Sequence, residues 1–193
     1  IEITGIDKPL PVGAVKGVVL SSIHELASRY ETSNTQVNQL WKNITWSSYG
    51  NFLSIPTDCP QRNERLGWAG DISVFSRTAT YLADVPQFLR RYLRSMRDVQ
   101  RTDGRFPDIA PLGGGFGGLL WGSAGITVPW ECYQQYGDTI LLSEHYDAMK
   151  RYIQYIIDNT IETETNLIVQ TRSWGDLCDW LGLEDEKNDK SLV

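Results

Sequence analysis

Residues 57–71 read TDCPQRNERLGWAGD. Asp58, Glu64 and Asp71 bring carboxylates, Arg62 and Arg65 bring guanidiniums, and Trp68 brings an indole. No helical or strand period accounts for that order, and Pro and Gly punctuate the stretch as a loop. This set of groups suits acetal chemistry. A carboxylic acid can protonate a departing glycosidic oxygen, while a second carboxylate acts on water or on the anomeric carbon. Further carboxylates accept hydrogen bonds from hydroxyls, guanidiniums supply planar donors, and an indole offers a flat wall to the C–H face of a sugar ring. Plainer readings stand beside this one. Asp71 is placed to cap the next helix, and Arg62 or Arg65 with Asp58 or Glu64 can form a surface ion pair worth about 0–1 kcal/mol. Two arginines near Glu64 favour its charged form, whereas Asp58, Asp71 and burial beside Trp68 oppose it.

The elements that must hold this loop are mainly helical. Asn34 or Ser33 can cap a helix whose residues Val37, Leu40, Trp41 and Ile44 recur at helical spacing, with Gly50 as its expected end. Trp41 and Trp46 are expected in the core. The loop follows, then a helix with Ile72, Phe75, Ala79 and Leu82 on one face. Asp84 before Pro86 opens a third helix, carrying Phe88, Leu89, Tyr92, Leu93 and Met96. Trp121–Tyr136 reads as one helix closed by Gly137. Leu141–Ile157 reads as another, with Tyr146, Met149, Ile153 and Ile157 as its stripe and His145 at the surface. Helices joined in succession by loops suggest packed hairpins. Residues 1–31, opening IEITGI, read as short β strands and a linker.

Composition narrows the function classes. The chain has 193 residues, 41% hydrophobic and 22% charged, enough for one substantial core. A net charge of -6 argues against a nucleic-acid surface, and no apolar run reaches the ~20 residues that span a bilayer. Cys59, Cys132 and Cys178 are widely spaced, with no CxxC pair and only two histidines, His24 and His145. That pattern argues for free or buried thiols and against a zinc site. GGGFGG at 113–118 lacks the Lys-Ser/Thr ending of a phosphate loop; a lid and a plain loop both remain open. Asn43-Ile44-Thr45 is a formal glycosylation sequon inside a predicted helix and is discounted. Localisation is not legible.

The stretch NFLSIPTDCPQRNERLGWAGD closely resembles the signature PTDCPQRxERxGWxGD of bacterial α-L-rhamnosidases of glycoside hydrolase family 78. SNTQVNQLWKNITWSSYGNF, DGRFPDIAP, WGSAGITVPW and CDWLG extend the resemblance over nearly the whole chain. It implies a mainly α fold, the N-terminal half of an (α/α)6 barrel at 32–193, preceded at 1–31 by the end of a β-sandwich domain and a linker. It implies Glu64 as general acid, with Asp58, Arg62, Trp68 and Asp71 holding rhamnose. Trp121 and Trp180 fall where the family offers aromatic walls, and Trp174 rivals Trp180. Where the family has WGDA, this chain has Trp121-Gly122-Ser123-Ala124, one carboxylate fewer. The family inverts, using a downstream glutamate as base that nothing here matches; Asp176 and Asp179 are the local substitutes. The resemblance implies no metal or organic cofactor and a rhamnose-containing glycoside as partner. A piece of barrel is also expected to self-associate through apolar helix faces and to have little activity alone. Three other readings are a carbohydrate-binding module without catalysis, an α/α-barrel hydrolase or lyase for another sugar, and an assembly surface.

Overall fold

The computed structural model describes residues 3–115 and 118–169. It is helical, as expected. Helix α1 spans Thr35–Asn51, α2 Ala69–Leu82, α3 Pro86–Asp98, α4 Leu119–Gly122, α5 Ala124–Tyr136 and α6 Thr139–Thr160. Two two-residue strands, β1 (Phe52–Leu53) and β2 (Ile55–Pro56), pair antiparallel between α1 and the loop. Among the described residues no helix is long and apolar enough to cross a membrane.

Helix starts follow local chemistry. The Asn34 side chain accepts hydrogen bonds from the Gln36 and Val37 N–H groups, capping α1. Asp138 caps α6 through Leu141 N at 2.9 Å. It is clasped by Arg90 Nη2, at 2.8 and 2.6 Å from its two oxygens, which ties α3 to the start of α6. Gly137 closes α5 in the left-handed conformation, φ 65°. Helices α2, α3, α5 and α6 enclose the core. Ile72 and Ala79 from α2, Leu89, Tyr92, Leu93 and Met96 from α3, Val128 and Cys132 from α5, and Leu141 and Tyr152 from α6 are all buried. The hydroxyls of Ser73 and Thr127 meet at 2.8 Å between α2 and α5.

Several expectations need correction. Residues 3–31 form no strand: they hold a 3-10 turn at Val12–Ala14 and a single bridge, Leu26 to Ala83. Alternation makes a strand only where a partner edge runs alongside, and among the described residues that pairing goes no further than the one bridge, flanked by Ala27 N to Leu82 O and Asp84 N to Glu25 O. Helix α1 runs through Gly50 to Asn51. Of its expected stripe Trp41 and Ile44 are half-buried, but Leu40 is 57% exposed, and Trp46 is 60% exposed rather than core. Asp71 does not cap α2. Trp68 holds the cap position without a side-chain bond, and Asp71 lies in the first turn. The expected helix from Trp121 to Tyr136 is broken at Ser123 into α4 and α5. On α6 the buried face is Leu141, His145, Ala148 and Tyr152; Tyr146, Ile153 and Ile157 point outward. Both stripes obey helical spacing, and contact with α5 and Phe106 selects the first. His145 is therefore fully buried, stacked on Phe106 with ring centroids 5.5 Å apart and planes 2° apart.

Candidate active site

The loop between β2 and α2 is folded back on itself by its own backbone. Asp58 N donates to Leu66 O at 2.8 Å, and Thr57 N to Asn51 O at 2.7 Å. The turn Cys59–Arg62 is closed by Arg62 N to Cys59 O at 3.2 Å. Cys59 and Arg65 take positive φ, 47° and 54°, a sparsely populated region for such residues. Behind the loop runs segment 106–110. Ile109 bridges Trp68, Ala110 N donates to Gly67 O at 3.0 Å, and Ala69 N donates to Asp108 O at 2.7 Å. The buried hydroxyl of Tyr92 also donates to Gly67 O, at 3.0 Å. These contacts fix the height of Trp68 and the first turn of α2.

On this frame the expected residues converge. Trp68 Nε1 donates to Glu64 Oε1 at 2.7 Å, and Arg62 Nη2 forms an ion pair with Glu64 Oε2. The Glu64 side chain is 20% exposed and that of Arg62 63%. Ligand atoms of Asp58, Cys59 and Glu64 lie within 4.8 Å of one another. Beside them opens a concavity of about 960 Å³. Asp58, Cys59, Asp71 and Trp121 line it, and α1 presents Asn43, Ser47 and Asn51 to it at four-residue spacing. Glu64, Arg62 and Trp68 stand at its edge beside Asp58 rather than in its wall. Asp71 is exposed where it lines the concavity. Even so, desolvation by the surrounding walls, and then the Asp58 charge, push its carboxyl up from the ordinary value. The Cys59 thiol is pushed up as well, by its bond to Asp58 and then by burial, so it remains a protonated donor. Asp58, Cys59 and Glu64 could offer ligand atoms to a cation, but Glu64 already accepts from Trp68 and Arg62.

Trp121 sits in the wall, its indole against Gly70: a Cβ at Gly70 would come within 2.8 Å of Trp121 Nε1. Trp180, its rival Trp174, and Asp176, Asp179 and Cys178 lie outside the described residues. Cys132 is a buried free thiol, pushed up to about 12 by burial. Sequence reasoning missed the polar face of α1, although Asn43, Ser47 and Asn51 were readable at i, i+4, i+8. It also missed Asp108, whose carboxylate is buried although its neighbours in the sequence are apolar.

Comparison with known proteins identifies the family and the fold. Residues 25–193 match the family described as the bacterial alpha-L-rhamnosidase 6 hairpin glycosidase domain. The chain belongs to that family. An α-L-rhamnosidase of Streptomyces avermitilis is 40% identical over 188 residues, 96% of this chain, and the chain spans 18% of that relative's length. A crystal structure of the S. avermitilis α-L-rhamnosidase complexed with L-rhamnose superposes with a TM-score of 0.73 at 41% identity, covering 84% of this chain and 15% of that one. The α-L-rhamnosidase from Dictyoglumus thermophilum gives 0.71 at 34% identity, over 82% of this chain and 18% of that one. The hairpins formed by α2 to α6 are thus part of a six-hairpin glycosidase architecture.

Proposed function

We propose that the protein carrying this chain is a glycoside hydrolase that removes terminal α-L-rhamnose with inversion, and that Glu64 is its proton donor. One observation carries this reading: Glu64, oriented by Trp68, stands beside Asp58 at the edge of a concavity walled by Asp71 and Trp121. Trp68 holds Oε1, whereas the partner of Oε2 is the largely exposed Arg62, whose arm can move onto the sugar. Oε2 is then the atom that faces the glycosidic oxygen. Its proton goes to that oxygen, the C–O bond breaks, and water attacks the anomeric carbon from the opposite face. Asp58 cannot be the base of an inverting pair: inversion needs carboxyls ~6.5–9.5 Å apart with water between, and Asp58 reaches within 4.8 Å of Glu64. Asp58 and Asp71 instead accept from sugar hydroxyls, Arg62 donates to them, and Trp68 and Trp121 give the ring apolar walls. The base comes from outside the matched residues, so the 193-residue chain alone is expected to be inactive.

The test is turnover by the full-length protein of matched aryl α-L-rhamnoside, mannoside and glucuronide, with the first-formed anomer followed by NMR. Rhamnoside-selective hydrolysis releasing the inverted anomer is expected. Preference for another sugar, or retention, contradicts the proposal, and sugar binding without turnover would make the site a binding module.

A further inference from the structure

Asp108 is 1% exposed, between buried Phe106, Pro107 and Ala110. Burying a carboxylate is costly unless hydrogen bonds compensate it. Here they come from the glycine loop. Gly118 N lies 3.1 Å from Asp108 Oδ1 and 3.4 Å from Oδ2. The Asp108 N–H donates to Gly114 O at 3.0 Å. One residue therefore holds both ends of the loop. Gly118 is also where the Trp121 indole rests: a Cβ there would come 2.5 Å from Trp121 Cε3, while Gly70 meets the Nε1 edge of the same ring. A shift of Gly118 by a few tenths of an ångström is passed directly to the indole. The main-chain contacts of segment 106–110 to Ala69, Gly67 and Trp68 do not involve this carboxylate, so the side chain can be tested apart from the frame.

We propose that Asp108 is a positioning residue for the sugar pocket: its carboxylate holds Gly118, and through it seats Trp121 in the cavity wall. The proposal rests on the reading of that cavity as a rhamnose pocket. An aromatic wall touches the sugar equally in ground and transition states, so its loss raises KM and leaves kcat. A role confined to stability does the reverse, lowering the active fraction and apparent kcat without moving KM.

The experiment is steady-state hydrolysis of an aryl α-L-rhamnoside by the full-length protein carrying Asp108→Asn, Trp121→Ala or both. Asn removes the charge and puts an NH2 in place of one of the two oxygens that share the Gly118 N–H, which loosens the clamp. About tenfold higher KM with kcat nearly kept is expected for Asp108→Asn, and the double variant should be no worse than Trp121→Ala. A lowered kcat at unchanged KM, or single effects that multiply, overturns the proposal. If Asp108→Asn does not fold, Gly118→Ala, which keeps the carboxylate but presses on the indole, must give the same rise in KM; an unchanged KM overturns it. Hydroxyl-radical footprinting of Trp121 needs no turnover and so separates this proposal from the rhamnosidase reading. Faster oxidation of Trp121, with Trp46 unchanged, supports the clamp even in a protein inactive on rhamnosides; an unchanged Trp121 rate refutes it.

Discussion

At Glu64 the neighbours decide the chemistry. Trp68, four residues on, occupies one carboxylate oxygen, and an exposed arginine occupies the other. Among the same kinds of side chain, His145 shows the opposite use. It is fully buried, and neither ring nitrogen makes a well-formed hydrogen bond to a described residue. Burial, then the Arg97 charge and more weakly Arg151, lower its pKa to about 4, with the Gly125 backbone offsetting only part. The unfolded chain holds the ordinary value near 6.5, so between those values the unfolded state binds more protons. Stability is therefore predicted to fall as pH drops from about 6.5 to about 4, by up to roughly 3 kcal/mol from this group. Denaturant midpoints at neutral and mildly acidic pH should show a smaller acid loss in His145→Phe than in the parent; an equal loss would assign the effect elsewhere.

Helix α6 depends on Asp138, which both caps its first turn and faces Arg90; the two side chains are 13% and 19% exposed. Leu141 N–H and Arg90 outweigh desolvation and hold this carboxyl below its ordinary value. Asp138→Ala should cost about 2–4 kcal/mol, because it removes a cap and takes from the half-buried Arg90 guanidinium the nearer of its two carboxylates. Asp138→Asn should cost less, since the cap survives and Glu144 remains 3.7 Å from Arg90. Equal denaturation midpoints for parent and alanine variant would deny the cap its role. Much at this scale was legible in the sequence. The apolar faces of α2 and α3, the Asn34 cap and the Gly137 stop follow local rules, and Glu64, Asp58, Trp68 and Asp71 come together because one short loop and the first turn of α2 carry them. What was not legible depended on tertiary choice. Two stripes on α6 satisfied the same spacing, and only contact with Phe106 and α5 decided between them. The break at Ser123, the burial of Asp108 and the seat of Trp121 on Gly70 and Gly118 come from segments brought together across the fold.

Across the whole molecule, apolar groups remain uncovered. Leu40 and Trp46 on α1, Val74 and Tyr81 on α2, and Ile153 and Ile157 on α6 are 46–72% exposed. The 193-residue chain on its own is predicted to associate with rising concentration, and a single monomeric boundary in sedimentation velocity at all concentrations would contradict that. The central claim concerns one proton. In the full-length protein, Glu64→Gln should lower kcat on an alkyl rhamnoside by about 10²–10⁴-fold. It should lower kcat far less on a rhamnoside whose aryl leaving group departs without protonation. Turnover of both substrates at the parent rate would show that Glu64 is not the proton donor.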